Sequence, residues 1–203
     1  MEKLNRFIDI ILKVPGGVYG LLSVFLGTLF IFLSYLNFPG YDMVNNDVSV
    51  LGIGPGLSPF FFGLALISIG IFTIPFFIYL SRVLNQEIKN EKLSKRANKL
   101  SIIACIALCL IAFFPVVNII IGIIHASLAV VFFICGFLCF SFFSILILRN
   151  NNFSKIHAYS GFSLAGLIVF YIIVRWSIVE WAVFLAIGLY TVNISIYTLY
   201  KRI

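Results

Sequence analysis

Charge is what this sequence most lacks. Charged residues make up 10% of the 203 positions, where a soluble globular domain carries roughly 25%. That excludes a soluble globular protein. Disorder is excluded from the other side, because 62% of the residues are hydrophobic, too many for a chain that stays unfolded. Histidine is nearly absent, with His125 and His157 the only two. On the spans read below they fall at different depths, too far apart to share one haem iron. No H-E-x-x-H, G-x-S-x-G or P-loop occurs, so the zinc-protease, serine-hydrolase and nucleotide-binding readings have no motif. No heptad, internal repeat or separate soluble domain is visible. Acid is scarcer than base, 7 residues against 14. A +7 charge raises a nucleic-acid reading only if the basic residues cluster on one surface.

What is present is long apolar runs. A membrane helix needs about 20 mostly apolar residues. Six stretches are read as spans: residues 17–36, 59–80, 100–114, 119–148, 158–176 and 178–199. The third is short, the fourth long, and Pro115 marks the turn between them. Arg175 and Glu180 interrupt an otherwise continuous fifth and sixth run, which predicts a tight helical hairpin. The first run is too long for the apolar region of a signal peptide, and no A-x-A site follows it. It is expected to remain as an anchor span. The expected fold class is all-α: a polytopic membrane protein, a six-transmembrane-helix bundle, single domain over 1–203.

The basic residues orient the spans. Lys3, Arg6 and Lys13 precede the first. Arg82, Lys89, Lys92, Lys95, Arg96 and Lys99 lie between the second and third. Arg149 and Lys155 lie between the fourth and fifth, and Lys201 and Arg202 follow the sixth. With six spans all thirteen fall on one side, and of the 14 only Arg175 falls opposite. Positive residues stay cytoplasmic, so both the N- and C-termini are expected there. The same placement removes the nucleic-acid reading, because the charge meets lipid head groups along the cytoplasmic margins. Segment 81–99 reads as a basic cytoplasmic loop. Leu4, Phe7, Ile8 and Ile11 recur at helical spacing with Lys3, Arg6 and Lys13 off the stripe. This predicts an interfacial helix over 1–15. The expected location is a prokaryotic, archaeal cell membrane.

Segment 37–58 reads as the one long external loop. It holds Asp42, Asn45, Asn46, Asp47 and Ser49, then Gly52, Gly54, Pro55 and Gly56. A Gly/Pro-rich stretch of this kind is a structured turn or a re-entrant cap. Its apolar part, 48–57, is expected to pack down on the bundle, since backbone at membrane depth must be buried in protein or face water. Elsewhere on that side stand Asn118, His125, Arg175 and Glu180. Ionisable groups in a membrane are costly and mark a site or a pair. Two readings follow. Asp47, Ser49, His125, Arg175 and Glu180 form one external polar cluster lining a pocket; or Arg175 and Glu180 pair locally and His125 bonds a backbone carbonyl. A histidine with two carboxylates could hold a metal, but the spacing follows no known ligand pattern. Cys105/Cys109 and Cys135/Cys139 are each i, i+4 pairs on one helix face. They could meet in mid-membrane, though small buried cysteine is ordinary in packed helices. No metal and no cofactor is expected. Gly16/Gly20, Ser23/Gly27 and Gly63/Gly70 permit close helix contacts, within the chain or between copies.

Several motifs together resemble a known family. Asn46-Asp47-Val48-Ser49-Val50-Leu51-Gly52, then Ser58-Pro59-Phe60-Phe61, resemble the external-loop signature of the six-span family called domain of unknown function 998. Pro115 followed by Ile124-His125-Ala126-Ser127 and Val131-Phe132-Phe133 agrees, as does Glu180-Trp181 opening the last span. Val50 stands where that family commonly carries an acid, and Val179 where it commonly carries proline. The resemblance implies the six-span topology and a similarity to the DRAM/Sfk/FRAG group of eukaryotic membrane proteins, whose links are to lipid handling and membrane organisation. The functional classes, in order of expectation, are an accessory or structural subunit of a membrane complex, a lipid-binding or lipid-translocating protein with an external-side pocket, and an intramembrane enzyme using His125 with Asp47 or Glu180. The complete catalytic set that an enzyme needs is missing. The expected partners are membrane lipids and other membrane protein subunits, with no nucleic acid.

Overall fold

The computed structural model describes residues 14–88 and 90–202. The interfacial helix expected over 1–15 lies, apart from its last two residues, outside the described residues. Among those described, helix is the only regular secondary structure. The helices are α1 (Gly16–Leu36), α2 (Ser58–Ile88), α3 (Glu91–Ile111), α4 (Ile119–Arg149), α5 (Lys155–Val174) and α6 (Ser177–Lys201), with one 3-10 turn at Val48–Ile53. Five of them, all but α3, are long and apolar enough to cross a membrane. The chain is a polytopic helical membrane protein.

Helix α3 departs from the sequence reading. Segment 81–99, expected as a loop, is mostly helix. Helix α2 runs on to Ile88, and α3 begins at Glu91. The Asn90 side chain caps α3 by accepting the Leu93 amide at 3.2 Å, and Glu91 pairs with Lys95 at 2.6 Å one turn later. These are strong local start signals, and hydropathy does not register them. They leave α3 polar over its first two turns. Its apolar part is only about 18 Å long at 1.5 Å per residue, short of a ~30 Å hydrocarbon core.

Each helix packs against its neighbours in the chain, and α6 closes on α1, giving a ring. Small residues set the closest crossings. A Cβ on Gly20 would overlap the Ser195 hydroxyl of α6. One on Gly70 would run into Cys109 and the Cys105 carbonyl of α3. The Gly16/Gly20 and Ser23/Gly27 stripe is therefore used within the chain: Gly27 faces Ile69, and Ser23 bonds Thr73 at 2.7 Å. At the basic end, Glu87 accepts from the Asn151 amide and the Asn152 side chain at 3.1 and 2.9 Å, tying α2 to the α4–α5 turn. The core there is aromatic, with Phe77 stacked on Phe143 at 5.1 Å.

The opposite end is closed by residues 37–57. Leu51 is 0% exposed, and Val48 is buried beside it. Gly40 and Gly56 take φ of 80° and 60°, a left-handed backbone that glycine adopts without strain. Ser58 at the start of α2 donates to the Leu51 carbonyl at 2.9 Å, and Ser34 of α1 donates to the Ser58 carbonyl at 2.8 Å. The segment is a folded cap. Its apolar side chains pack on Phe62, Ile31 and Trp181.

Candidate functional site

Inside the ring, under the cap, lies a cavity of about 410 Å³. That is within the ~300–1,000 Å³ of small-molecule sites. Its wall is mostly apolar, with Phe62, Phe77, Phe132, Phe140 and Ile168 among the lining side chains. Its acidic and basic side chains gather at the capped end, while Ser23, Thr73, Ser101 and Thr191 are spread along the wall. Asp47, Ser49, His125, Arg175 and Glu180 all line this one cavity, joined by Tyr171. The five candidates come from four separate segments: the cap, α4, the α5–α6 turn and α6.

Asp47 is placed by its backbone. It sits at the start of the 3-10 turn in extended conformation, and its carbonyl accepts the Tyr41 hydroxyl at 2.7 Å. Its carboxylate accepts the Ser177 hydroxyl at 2.6 Å, which ties the cap to the start of α6. Tyr41 also reaches the Asn46 carbonyl at 3.1 Å and receives the Trp181 indole N–H at 3.1 Å. Burial pushes the Tyr41 phenol well above its ordinary range, so it remains a hydroxyl donor to the two carbonyls. On the cap surface, the Val44 amide and then the Asn45 side chain hold the Asp42 carboxyl below its ordinary value. Tyr41→Phe is expected to cost about 1–3 kcal/mol, since it strips two half-buried carbonyls of a donor and the Trp181 indole of its acceptor. A melting curve in mild detergent would register it.

Glu180 lies in the first turn of α6. Its carboxylate faces the Asp47 carboxylate, the Val48 amide and the Tyr171 hydroxyl, and its Oε2 is buried without a hydrogen-bond partner. His125 is buried, with Nδ1 at 2.9 Å from the Phe114 carbonyl. A carbonyl only accepts, so Nδ1 carries the hydrogen and Nε2 is left without a protein partner. The carbonyl-bonded histidine of the blander reading is therefore what forms. The local Arg175–Glu180 pair is not: no ion pair joins them among the described residues. The Arg175 guanidinium goes instead to the Tyr171 hydroxyl, one helical turn back. Arg175 itself closes α5 at φ 56°, a conformation that disfavours any side chain and is often retained at functional positions.

Ser49 lines the cavity half-buried. Cys105 and Cys139 line its deeper wall and lie within electrostatic reach of each other. All four cysteines are free thiols. Among the described residues no three His, Cys, Asp or Glu side chains are grouped so as to hold a metal ion.

Sequence reasoning missed Tyr41, Tyr171 and Ser177. Two signals were present. Tyr171 precedes Arg175 by four residues, the spacing of facing side chains on a helix. Ser177 opens an apolar run, a usual helix-start residue. No curated protein and no solved structure matches the chain. The family model described as "Protein of unknown function (DUF998)" matches residues 21–200, and over that span, nearly its whole length, the chain belongs to this family.

Proposed function

We propose that the chain is a six-span protein of the cell membrane that holds one single-chain amphiphile in its central cavity, with the ligand's polar end at the Asp47–Glu180 mouth. Helix α3 serves as the third span in this reading, its polar first half standing in the cytoplasmic margin. The closed ring of alternating helices supports an even count. The basic end, which carries Arg82, Lys92, Lys95, Arg96, Lys99, Arg149 and Lys155, is then cytoplasmic.

The observation that carries the reading is the cavity's polarity: an apolar body with its charged groups at one end. At about 30 Å³ per water-sized group, 410 Å³ accommodates roughly fourteen such groups, one fatty chain rather than two. Exposed Thr28 on α1 and exposed Leu185 and Leu189 on α6 also line it, and between them Gly188 carries no side chain where a Cβ would reach Val24 at 3.7 Å. This gives the ligand a lateral way in from the bilayer.

Gly136→Phe tests the idea. A Cβ there would meet nothing nearer than Ile168 at 3.9 Å, and Gly136 lines the cavity, so the ring has room to fill it. Mass spectrometry of material purified in mild detergent is expected to find a single-chain amphiphile at near one per chain in the wild type and at least ~10-fold less in the variant. Equal lipid in both, or none in either, sinks the proposal. Stoichiometric protein partners beside an empty cavity would instead favour the accessory-subunit reading.

A further inference from the structure

We infer that the head group this cavity selects is a hydrogen-bond donor without negative charge, an alcohol or an amine, and that phosphate and carboxylate head groups are rejected. The inference rests on the cavity reading above and narrows it to a ligand class.

The first step concerns where selectivity can arise. An alkyl chain leaving lipid for an apolar cavity changes one hydrocarbon surrounding for another, so its transfer contributes little. Discrimination therefore falls on the mouth. The second step counts what the mouth has to give. Glu180 Oε2 is buried without a partner. Asp47 accepts from Ser177, and its carboxyl group faces that of Glu180, so the two acids stand together at the mouth. His125 has Nδ1 committed to the Phe114 carbonyl, so only Nε2 remains for a ligand. The Tyr171 and Ser177 hydroxyls are already directed at protein groups, and the Ser49 hydroxyl, also in the lining, can accept as well as donate. The Tyr171 hydroxyl lies between Glu180 and the Arg175 guanidinium, and Arg175 itself stands at the exposed rim. The inner mouth is thus rich in acceptors.

A phosphate or carboxylate there would bring further acceptors against two carboxylates, inside a wall that screens poorly. A hydroxyl or an ammonium would satisfy Glu180 Oε2, and an ammonium would gain from both acids. A buried acceptor left unpaired discriminates strongly between ligands that do and do not supply the hydrogen.

The test uses the full chain in zwitterionic-lipid nanodiscs and four radiolabelled C10 probes, short enough for the cavity: decylamine, 1-decanol, decanoate and decyl phosphate. Cavity binding is the portion lost in Gly136→Phe. The amine and the alcohol are expected to bind at least tenfold more tightly than either anion. Glu180→Gln and Asp47→Asn, both nearly isosteric, are expected to weaken the amine about tenfold and the alcohol less than threefold. Anions that bind as tightly as the amine and alcohol, with Gly136→Phe still abolishing them, would overturn the head-group inference and leave the cavity reading standing. If no probe shows Gly136-dependent binding, both fall together.

Discussion

Gly70→Ala is expected to lower the stability of the bundle by about 3 kcal/mol, the upper end of the cost of overpacking a tight core. On the scale of a domain of about 200 residues that is a fall in melting temperature of roughly 6–12 °C. A Cβ at Gly70 would lie 2.8 Å from the Cys105 carbonyl oxygen and overlap the Cys109 sulfur. The sulfur can turn away, but a backbone carbonyl inside α3 cannot. Helix α3 must therefore move off α2, and α3 is the helix least able to hold itself in the membrane. Gly63 is the matched control. It lies one heptad earlier on α2, yet its Cβ would meet only the Ala112 carbonyl, at 3.9 Å. Gly63→Ala is expected to stay within about 1 kcal/mol of wild type, on the stabilising side, because alanine suits a helix better than glycine. Melting both variants in one detergent checks the pair. A Gly70→Ala protein as stable as Gly63→Ala would mean that α2 and α3 are not in close contact there.

That pair also shows how far the sequence reaches. Gly63 and Gly70 are equivalent in a hydropathy or spacing argument, since both are small residues on one face. Which of them touches a neighbour depends on where α3 crosses α2, and α3 is the helix whose extent was misread. Hydropathy found its apolar half near Leu100 and stopped, because it measures burial in lipid and not helicity. The polar half from Glu91 is helical for local reasons, the Asn90 cap and the Glu91–Lys95 pair, which hydropathy does not see. The end of α2 was missed for the same reason, since the helix runs past the apolar run at Leu80 to Ile88; the remaining boundaries fall close to the ends of apolar runs.

The candidate site divides the same way. Residues that are costly in a membrane could be picked out one by one, and Asp47, Ser49, His125, Arg175 and Glu180 do line one cavity. Their pairings were not legible. Arg175 and Glu180 are five apart across a turn, and sequence proximity suggests an ion pair. The left-handed turn at Arg175 sends its guanidinium back to Tyr171 instead. Asp47 bonds Ser177 across 130 positions, a contact that depends on how the cap folds.

Trp181→Ala is expected to cost about 3–5 kcal/mol, the range for emptying a buried aromatic site. Trp176→Ala, five residues earlier, is expected to change stability by less than about 0.5 kcal/mol. Both tryptophans sit at the capped end, and composition does not distinguish them. Trp181 is 6% exposed and Trp176 is 62% exposed. The Trp181 ring packs edge-on to Tyr41 and to Phe184, and its N–H reaches the Tyr41 hydroxyl at 3.1 Å and the Asn46 carbonyl at 3.3 Å. Removing it takes away one wall of the cap and the donor shared by two cap residues. The backbone around Asp47 is held from that same Tyr41, so the acid at the mouth should lose its position as the cap loosens. Trp181→Phe separates the two effects. It keeps most of the ring volume and deletes the N–H, so about 1–2 kcal/mol is expected. Melting curves give the stability order, wild type above Trp181→Phe above Trp181→Ala. Solvent exchange at the Asp47–Leu51 amides then shows whether the loss is local to the cap. Protection there unchanged in Trp181→Ala would mean that the cap is held by its other contacts, Ser58 and Phe62 of α2, Ile31 of α1 and the Asp47–Ser177 bond, and that the Trp181 ring does not secure the segment facing Glu180.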